Sequence, residues 1–245
     1  MAEYDGVNTD TSSYSGISVI TINRPDRKNA VDPLTAKALY QAILRCAVKQ
    51  RYTWRQPPTY YRPQLRANGS LQTHHKKTSH MFYIRLRRRR GLELSLLADM
   101  RVVEEDAVFG VFCRRWGVPL IDGGTVRLQA IVGLGRALDM VLTGRPVSAQ
   151  EALTMGLASR LVPKGESLKE AIRIARQLIT FPELCLNTDR QSCYYSAYEA
   201  SSFQDAISQE FNAGSKVISQ EAIAGAAKFS KGSGRHGSFK DHNKL

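Results

Sequence analysis

No run of apolar residues approaches the roughly 20 that a bilayer-spanning helix needs, so no membrane anchor is expected. Cysteine is scarce. Cys46, Cys113, Cys185 and Cys193 form neither a CxxC pair nor the Cys/His spacing of a zinc site, which points to a reducing compartment and no structural metal. The opening MAEYDGVNTD is polar and acidic where a presequence would be basic, so no targeting leader is expected there. The largest absence is local: from Ala47 to Arg90 there is no Asp or Glu at all.

What fills that gap is positive charge. The 245-residue chain carries a net charge of +13, and twelve Lys or Arg between Ala47 and Arg90 supply +12 of it. His74, His75 and His80 lie in the same stretch, beside RYTWRQPPTYYRP and RLRRRR. A basic chain ordinarily suggests an acidic partner such as nucleic acid. Here the charge belongs to one segment, and the remainder, nearly neutral within a chain that is 42% hydrophobic, has the composition of a single sizeable core.

Along the chain, GISVITINRP (16–25) alternates β-branched with small or polar residues and stops at a proline, the pattern of a half-buried strand. Asp32 and Pro33 suit the N-cap and first turn of a helix with Leu34, Ala38, Ile43 and Leu44 near one face. GLELSLLADM (91–100) reads as an apolar helical segment with one acid, Glu93, followed by strand-like RVV and AVFGV around a polar turn. GVPLIDGGT is a glycine-rich loop ahead of a helix over VRLQAIVGLGRALDMVLTG. Ser148 and Glu151 have capping-box spacing at the start of another. Residues 167–180 and 196–229 are two further helical stretches, the second with Phe203, Ile207, Phe211 and Ile218 roughly in phase. The tail KGSGRHGSFKDHNKL is polar, and no internal repeat is present.

INRPDRKNAVD, GLELSLLADMRVVEEDAVFGVFCRRWGVPLIDGGTVRL and LTGRPVSAQEALTMGLASRLVP resemble, in unbroken order, three blocks of the enoyl-CoA hydratase/isomerase family, the crotonase superfamily. The resemblance covers roughly residues 16–46 and 91–164. It implies an α/β fold of the crotonase type, a spiral of ββα units, with a core over 1–195 and a C-terminal helical arm over 196–245. It also implies an acyl-CoA thioester as substrate, CoA being part of the substrate with no separate cofactor and no metal. Homo-trimers or hexamers are the family's assemblies.

The family's chemistry polarises the thioester carbonyl in an oxyanion hole of two backbone N–H groups and moves protons with a carboxylate. Glu93 occupies the position of the family's first catalytic glutamate. Asp122 falls where dienoyl-CoA isomerase relatives place an aspartate, so a Glu93/Asp122 pair could divide proton removal and delivery; Asp122 could equally do no more than support the glycine turn. The oxyanion backbone maps onto Arg90 and Gly91. Lys28 would face the CoA phosphates and Ala30 its adenine or pantetheine portion. One departure stands out: Cys113 occupies the place of the hydratases' second glutamate. A thiol makes weak hydrogen bonds and is a poor substitute for a carboxylate that positions water.

Residues 47–90 do not fit the family at all. The strand, the first oxyanion motif, Lys-Pro-Val-Ile and the Gly-Tyr-Ala-x-Ala-Gly-Gly run are missing there, and Arg90 stands where a glycine is usual. Back-translated with free wobble bases and read one base forward, Arg66 to Lys77 (RANGSLQTHHKK) can become GPMGPSRLTIKK, and Thr78 to Arg90 (TSHMFYIRLRRRR) can become PVICFISGYAVAG, running directly into Gly91. The missing KKPVI and SGYAVAG appear in order. The segment therefore reads as an out-of-frame or mis-spliced stretch that disrupts the N-terminal half.

The expected function is an enoyl-CoA hydratase/isomerase acting through an oxyanion-stabilised enolate, with turnover of this exact chain impaired. Two alternatives stand beside it: a catalytically silent family subunit, suggested by Cys113, and a nucleic-acid-binding protein using the basic segment, which the frame argument makes the weaker of the two. Asn243-Lys244-Leu245 resembles a degenerate peroxisomal tripeptide, with cytosol or mitochondrion as alternatives.

Overall fold

The computed structural model describes residues 6–27, 29–49 and 91–230. These fall into two compact units, one ending at Ile172 and the other beginning at Arg173.

In the first unit, β1 (Val7–Asp10) pairs antiparallel with β2 (Val19–Ile22), Val7 opposite Ile22 and Asp10 opposite Val19. β2 lies within the strand expected over 16–25; β1 was not expected, because VNTD has no apolar alternation. Asp10 turns the chain between them by accepting the backbone N–H of Ser12 (2.9 Å) and Ser13 (3.0 Å). Beyond β2 the segment from Arg24 to Asp32 folds on itself. The Arg24 N–H donates to Asn29 Oδ1 (2.6 Å), the Asn29 N–H returns to the Arg24 carbonyl (2.8 Å), and Asn29 sits at φ 55°, a left-handed conformation that asparagine tolerates. The Arg24 guanidinium reaches the Ala30 carbonyl and the Asp32 carboxylate, each at 2.6 Å.

This knot delivers Asp32 to the start of α1 (Pro33–Lys49), where its Oδ1 accepts the Thr35 N–H (2.9 Å) and hydroxyl (2.7 Å). The N-cap expected there is present. The buried face is different from the one expected: Thr35, Ala36, Leu39, Ala42 and Cys46 point inward, while Leu34 is 64% exposed. Ala38 and Ile43 are only partly buried, against a small cluster of Val7, Leu39 and Ala42. Small residues line the inner face because a helix lying close over a two-stranded sheet leaves little room between backbones. Of the stripe expected, Ala38 and Ile43 lie at the margin of this face and Leu34 lies off it.

After residue 90 the chain enters α2 (Leu92–Ser95), far shorter than the helical segment expected over 91–100. Beyond it the buried Arg101 guanidinium donates to the carbonyls of Ala98 (2.7 Å), Ser95 (3.5 Å) and Leu157 (2.6 Å). β3 (Val102–Glu104) and β4 (Val108–Phe109) follow. They do not pair with each other. β3 runs parallel to β6 (Arg160–Val162), and β4 antiparallel to β5 (Val147–Ser148). The single helix expected after the glycine loop is two, α3 (Gly124–Val132) and α4 (Leu134–Thr143), parted at Gly133, whose φ of 84° and ψ of 154° no helix accommodates.

α5 (Ala149–Thr154) begins at Ser148, whose hydroxyl accepts the Glu151 N–H at 3.2 Å, half of the expected capping box. The Glu151 carboxylate takes the Arg145 guanidinium instead, in a two-point contact of 2.6 and 3.0 Å. The main core closes around fully buried Leu128, Met140, Val147 and Leu157, with Leu92 and Leu96 of α2 in the same cluster. Leu94 packs against the smaller cluster. A four-residue helix is too short to stand alone; α2 is held because both of its apolar sides are covered.

α6 (Ser167–Leu178) carries the chain across the division between units. In the second unit α7 (Glu183–Tyr198), which was not expected, precedes α8 (Phe203–Val217), a single π turn (Ile218–Ala222) and α9 (Ile223–Ser230). Glu221, in the π turn, accepts the N–H groups of Leu184 (3.1 Å) and Cys185 (2.8 Å), capping α7 from a distance in sequence of 36 residues. Phe203, Ile207, Phe211 and Ile218 are all exposed in the single chain.

Candidate active site

Glu93 is the second residue of α2, and Leu92 and Leu94 on either side of it are drawn into different clusters. That leaves its carboxylate aimed along the loop before α3. Oε1 accepts two backbone N–H groups, those of Asp122 and Gly124, each at 3.0 Å. Among the described residues Oε2 accepts no hydrogen bond. One oxygen is anchored and the other is presented.

The glycines of LIDGGT are what permit this. Gly123 stands at φ 86° as the N-cap of α3. At Gly124 a Cβ would lie 2.7 Å from Glu93 Oε1 and 2.8 Å from its Cγ, closer than real side chains approach. Only glycine lets the carboxylate reach the helix start, where aligned N–H dipoles favour negative charge.

Burial pushes the Glu93 carboxyl above its ordinary value of 4.5, with the Asp122 carboxylate adding to the rise. The two backbone N–H bonds and the Arg127 charge oppose it. The result is a half-buried carboxyl whose proton affinity moves toward neutrality, the direction that suits an acid/base group.

Asp122 is half-buried in the loop, its N–H on Glu93 and its carbonyl accepting Arg127 Nη1 at 3.1 Å. Gly91 stands immediately before α2 at φ 151°, its carbonyl accepting the Ser95 N–H (2.8 Å). Among the described residues its own N–H donates no hydrogen bond. Arg90 and Lys28 lie outside the described residues, as do residues 50–90 of the basic segment and the terminal tripeptide. Ala30 is half-buried in the knot before α1, its N–H donating to the Arg27 carbonyl at 3.0 Å and its carbonyl accepting Arg24. The structure thus brings Glu93, Asp122 and Gly91 into one neighbourhood. Cys113 sits on a 3₁₀ turn (Phe112–Trp116), partly buried against the main core.

Two residues in this neighbourhood were not singled out from sequence, Arg127 and Arg101. Arg127 stands four positions after Gly123 in GGTVRL, one helical turn on, and that spacing was the available signal. No local signal marks Arg101, whose partners at Leu157 and Ser159 are more than fifty residues away.

The chain is similar to known proteins in sequence and in fold. The family model for enoyl-CoA hydratase/isomerase matches residues 90–232. Over 72 residues the chain is 49% identical to a mitochondrial methylglutaconyl-CoA hydratase of Pyricularia oryzae, a match spanning 29% of this chain and 21% of that protein. Over 94 residues it is 37% identical to a probable mitochondrial enoyl-CoA hydratase of Dictyostelium discoideum, spanning 38% of this chain and 34% of that one. The chain therefore matches about a third or less of the length of these relatives. A solved enoyl-CoA hydratase subunit of Geobacillus kaustophilus superposes with a TM-score of 0.72 over 94% of this chain and 96% of its own, at 19% identity, which establishes the crotonase fold. With the family model covering more than half of its length, the chain belongs to the enoyl-CoA hydratase/isomerase family.

Proposed function

We propose that this chain binds an acyl-CoA thioester and that Glu93 is the acid/base group acting on the carbons next to the thioester carbonyl. The observation that carries this is the asymmetry of its carboxylate: Oε1 is tied to two backbone N–H groups at 3.0 Å, while Oε2 has no hydrogen-bond partner among the described residues. A carboxylate fixed through one oxygen keeps its second aimed at a substrate proton at little reorganisation cost. The backbone at Arg90 and Gly91 supplies the second of the two oxyanion donors, the first being lost with its motif. Lys28 and Ala30 serve the CoA portion. Asp122 is the second proton-carrying group, its carboxylate close enough to Glu93 to raise that residue's proton affinity.

Turnover by this chain is impaired, because the family's first oxyanion motif is replaced by the basic segment, and one lost oxyanion donor costs on the order of 10²–10³ in rate. Cys113 in place of a second glutamate favours double-bond migration, or a silent subunit, over hydration. Assembly as a trimer or hexamer is supported by the exposed Phe203, Ile207, Phe211 and Ile218. The names of the Pyricularia and Dictyostelium relatives favour the mitochondrial over the peroxisomal alternative.

The test is to purify this chain and a version with residues 66–90 restored to the shifted frame, and to follow each with crotonyl-CoA. The restored version should turn over, its Glu93→Gln variant should not, and the chain as given should be far slower. Equal, ordinary rates from the given chain and its Glu93→Gln variant would end the proposal.

A further inference from the structure

Arg127 lies one turn into α3, and its guanidinium folds back over the loop from which α3 starts. Nη1 donates to the Asp122 carbonyl at 3.1 Å, and the same nitrogen occupies the space that a Cβ on Gly123 would take. The peptide groups either side of that contact are those that hold Glu93: the Asp122 N–H on one side and the Gly124 N–H on the other, both on Oε1. A left-handed glycine at 123 and a second glycine at 124 give the loop little intrinsic stiffness. What fixes it from above is the arginine.

We propose that Arg127 is a positioning residue of this site: by clasping the Asp122 carbonyl and covering Gly123, it keeps the two amide N–H groups aimed at Glu93 Oε1. The proposal rests on Glu93 being the acid/base group, and goes beyond that reading by naming what holds it in place. The charged groups that face Glu93 among the described residues are Asp122 and Arg127, one pushing its proton affinity up and the other pulling it down. Arg127 therefore acts twice, as a clasp on the loop and as the positive charge that opposes Asp122. A fork-shaped guanidinium suits both tasks, since it can donate to a carbonyl while its charge stays spread toward a neighbouring carboxylate.

The experiment titrates Glu93 directly in the full chain, by NMR of its side-chain carboxyl carbon together with the Asp122 and Gly124 amides. In Arg127→Met the Glu93 midpoint should move to higher pH, and the two amides should respond less to Glu93 ionisation. Arg127→Lys should return the midpoint toward that of the parent, because it restores the charge. Should Arg127→Met fail to fold, Arg127→Gln, neutral and of similar length, takes its place. A neutral variant that titrates like the parent with its amide response intact overturns the proposal, as does a lysine variant that behaves like the neutral one. No substrate enters these measurements. Failure of Glu93 as the acid/base group, seen in the turnover of Glu93→Gln, is thus separable from failure of Arg127 as its support.

Discussion

The Glu93 carboxylate occupies the space where Gly124 has no side chain: Oε1 is 3.0 Å from the Gly124 nitrogen, and a Cβ at that position would come within 2.7 Å of the same oxygen. The glycine is needed for the approach itself, since its backbone must face the carboxylate with nothing between them. This makes the pair a sharp place to separate activity from stability.

Gly124→Ala should displace the Glu93 side chain and lower acyl-CoA turnover of the frame-restored protein by on the order of 10²-fold, the cost of about an ångström of misplacement at a reacting group. The accompanying loss of stability should be only about 1–3 kcal/mol, as for other added methyl groups in tight sites. Thermal melts and steady-state rates on the same preparation check both. Full activity in the alanine variant would show that Glu93 does not need this contact.

Glu93 also predicts a pH dependence. Its folded-state proton affinity is raised above the ordinary 4.5, so the folded protein holds the proton more tightly than the unfolded chain does. Stability from this group is complete below 4.5 and is lost as pH rises from there through the folded midpoint. Glu93→Gln should flatten that part of the stability curve, measurable as melting temperature against pH. A parallel curve in the variant would mean that the carboxyl is not buried as described.

Asp32 behaves in the opposite sense. The Thr35 backbone N–H and hydroxyl, then Arg24, hold its carboxyl down at about 2. Its contribution is present above the ordinary 3.8 and fades as pH falls toward 2. Asp32→Ala should lower the melting temperature at neutral pH and remove this acid-side loss, whereas Asp32→Asn, which keeps a capping oxygen, should retain much of the neutral-pH stability.

Leu157 tests the main core. It is fully buried, and Leu157→Ala should cost about 2–5 kcal/mol through the cavity that it leaves. Chemical denaturation of the purified chain measures this. A cost below about 1 kcal/mol would mean that the surrounding Met140 and Val147 are not packed around it as the structure has them.

The local features that sequence revealed are those whose partners are near in the chain. Asp32 caps the helix that begins at the next residue, and Ser148 receives the Glu151 N–H three positions on. The LIDGGT loop could be recognised because glycines at a helix start have a conformational reason visible in the residues themselves. Features that failed depend on distant partners. α1 turned a small-residue face inward because β1 lies against it, and β1 itself carries no apolar pattern. The helix expected over 91–100 stops after four residues, and beyond it the Ala98 carbonyl goes to the buried Arg101 guanidinium, while α7 is capped by Glu221 from another part of the second unit.

By itself the sequence determined the family, the order of its blocks and the identity of Glu93 as the carboxylate to examine, because those rest on residue types in fixed succession. It also set residues 47–90 apart by a charge imbalance that no folding is needed to see. Only the tertiary structure decided that Glu93 is anchored through one oxygen to the loop twenty-nine residues away, and that Arg127 closes over that loop. Hydrogen bonds between distant backbone groups follow from how α2 is wedged between two clusters, and no local pattern of residues encodes that placement.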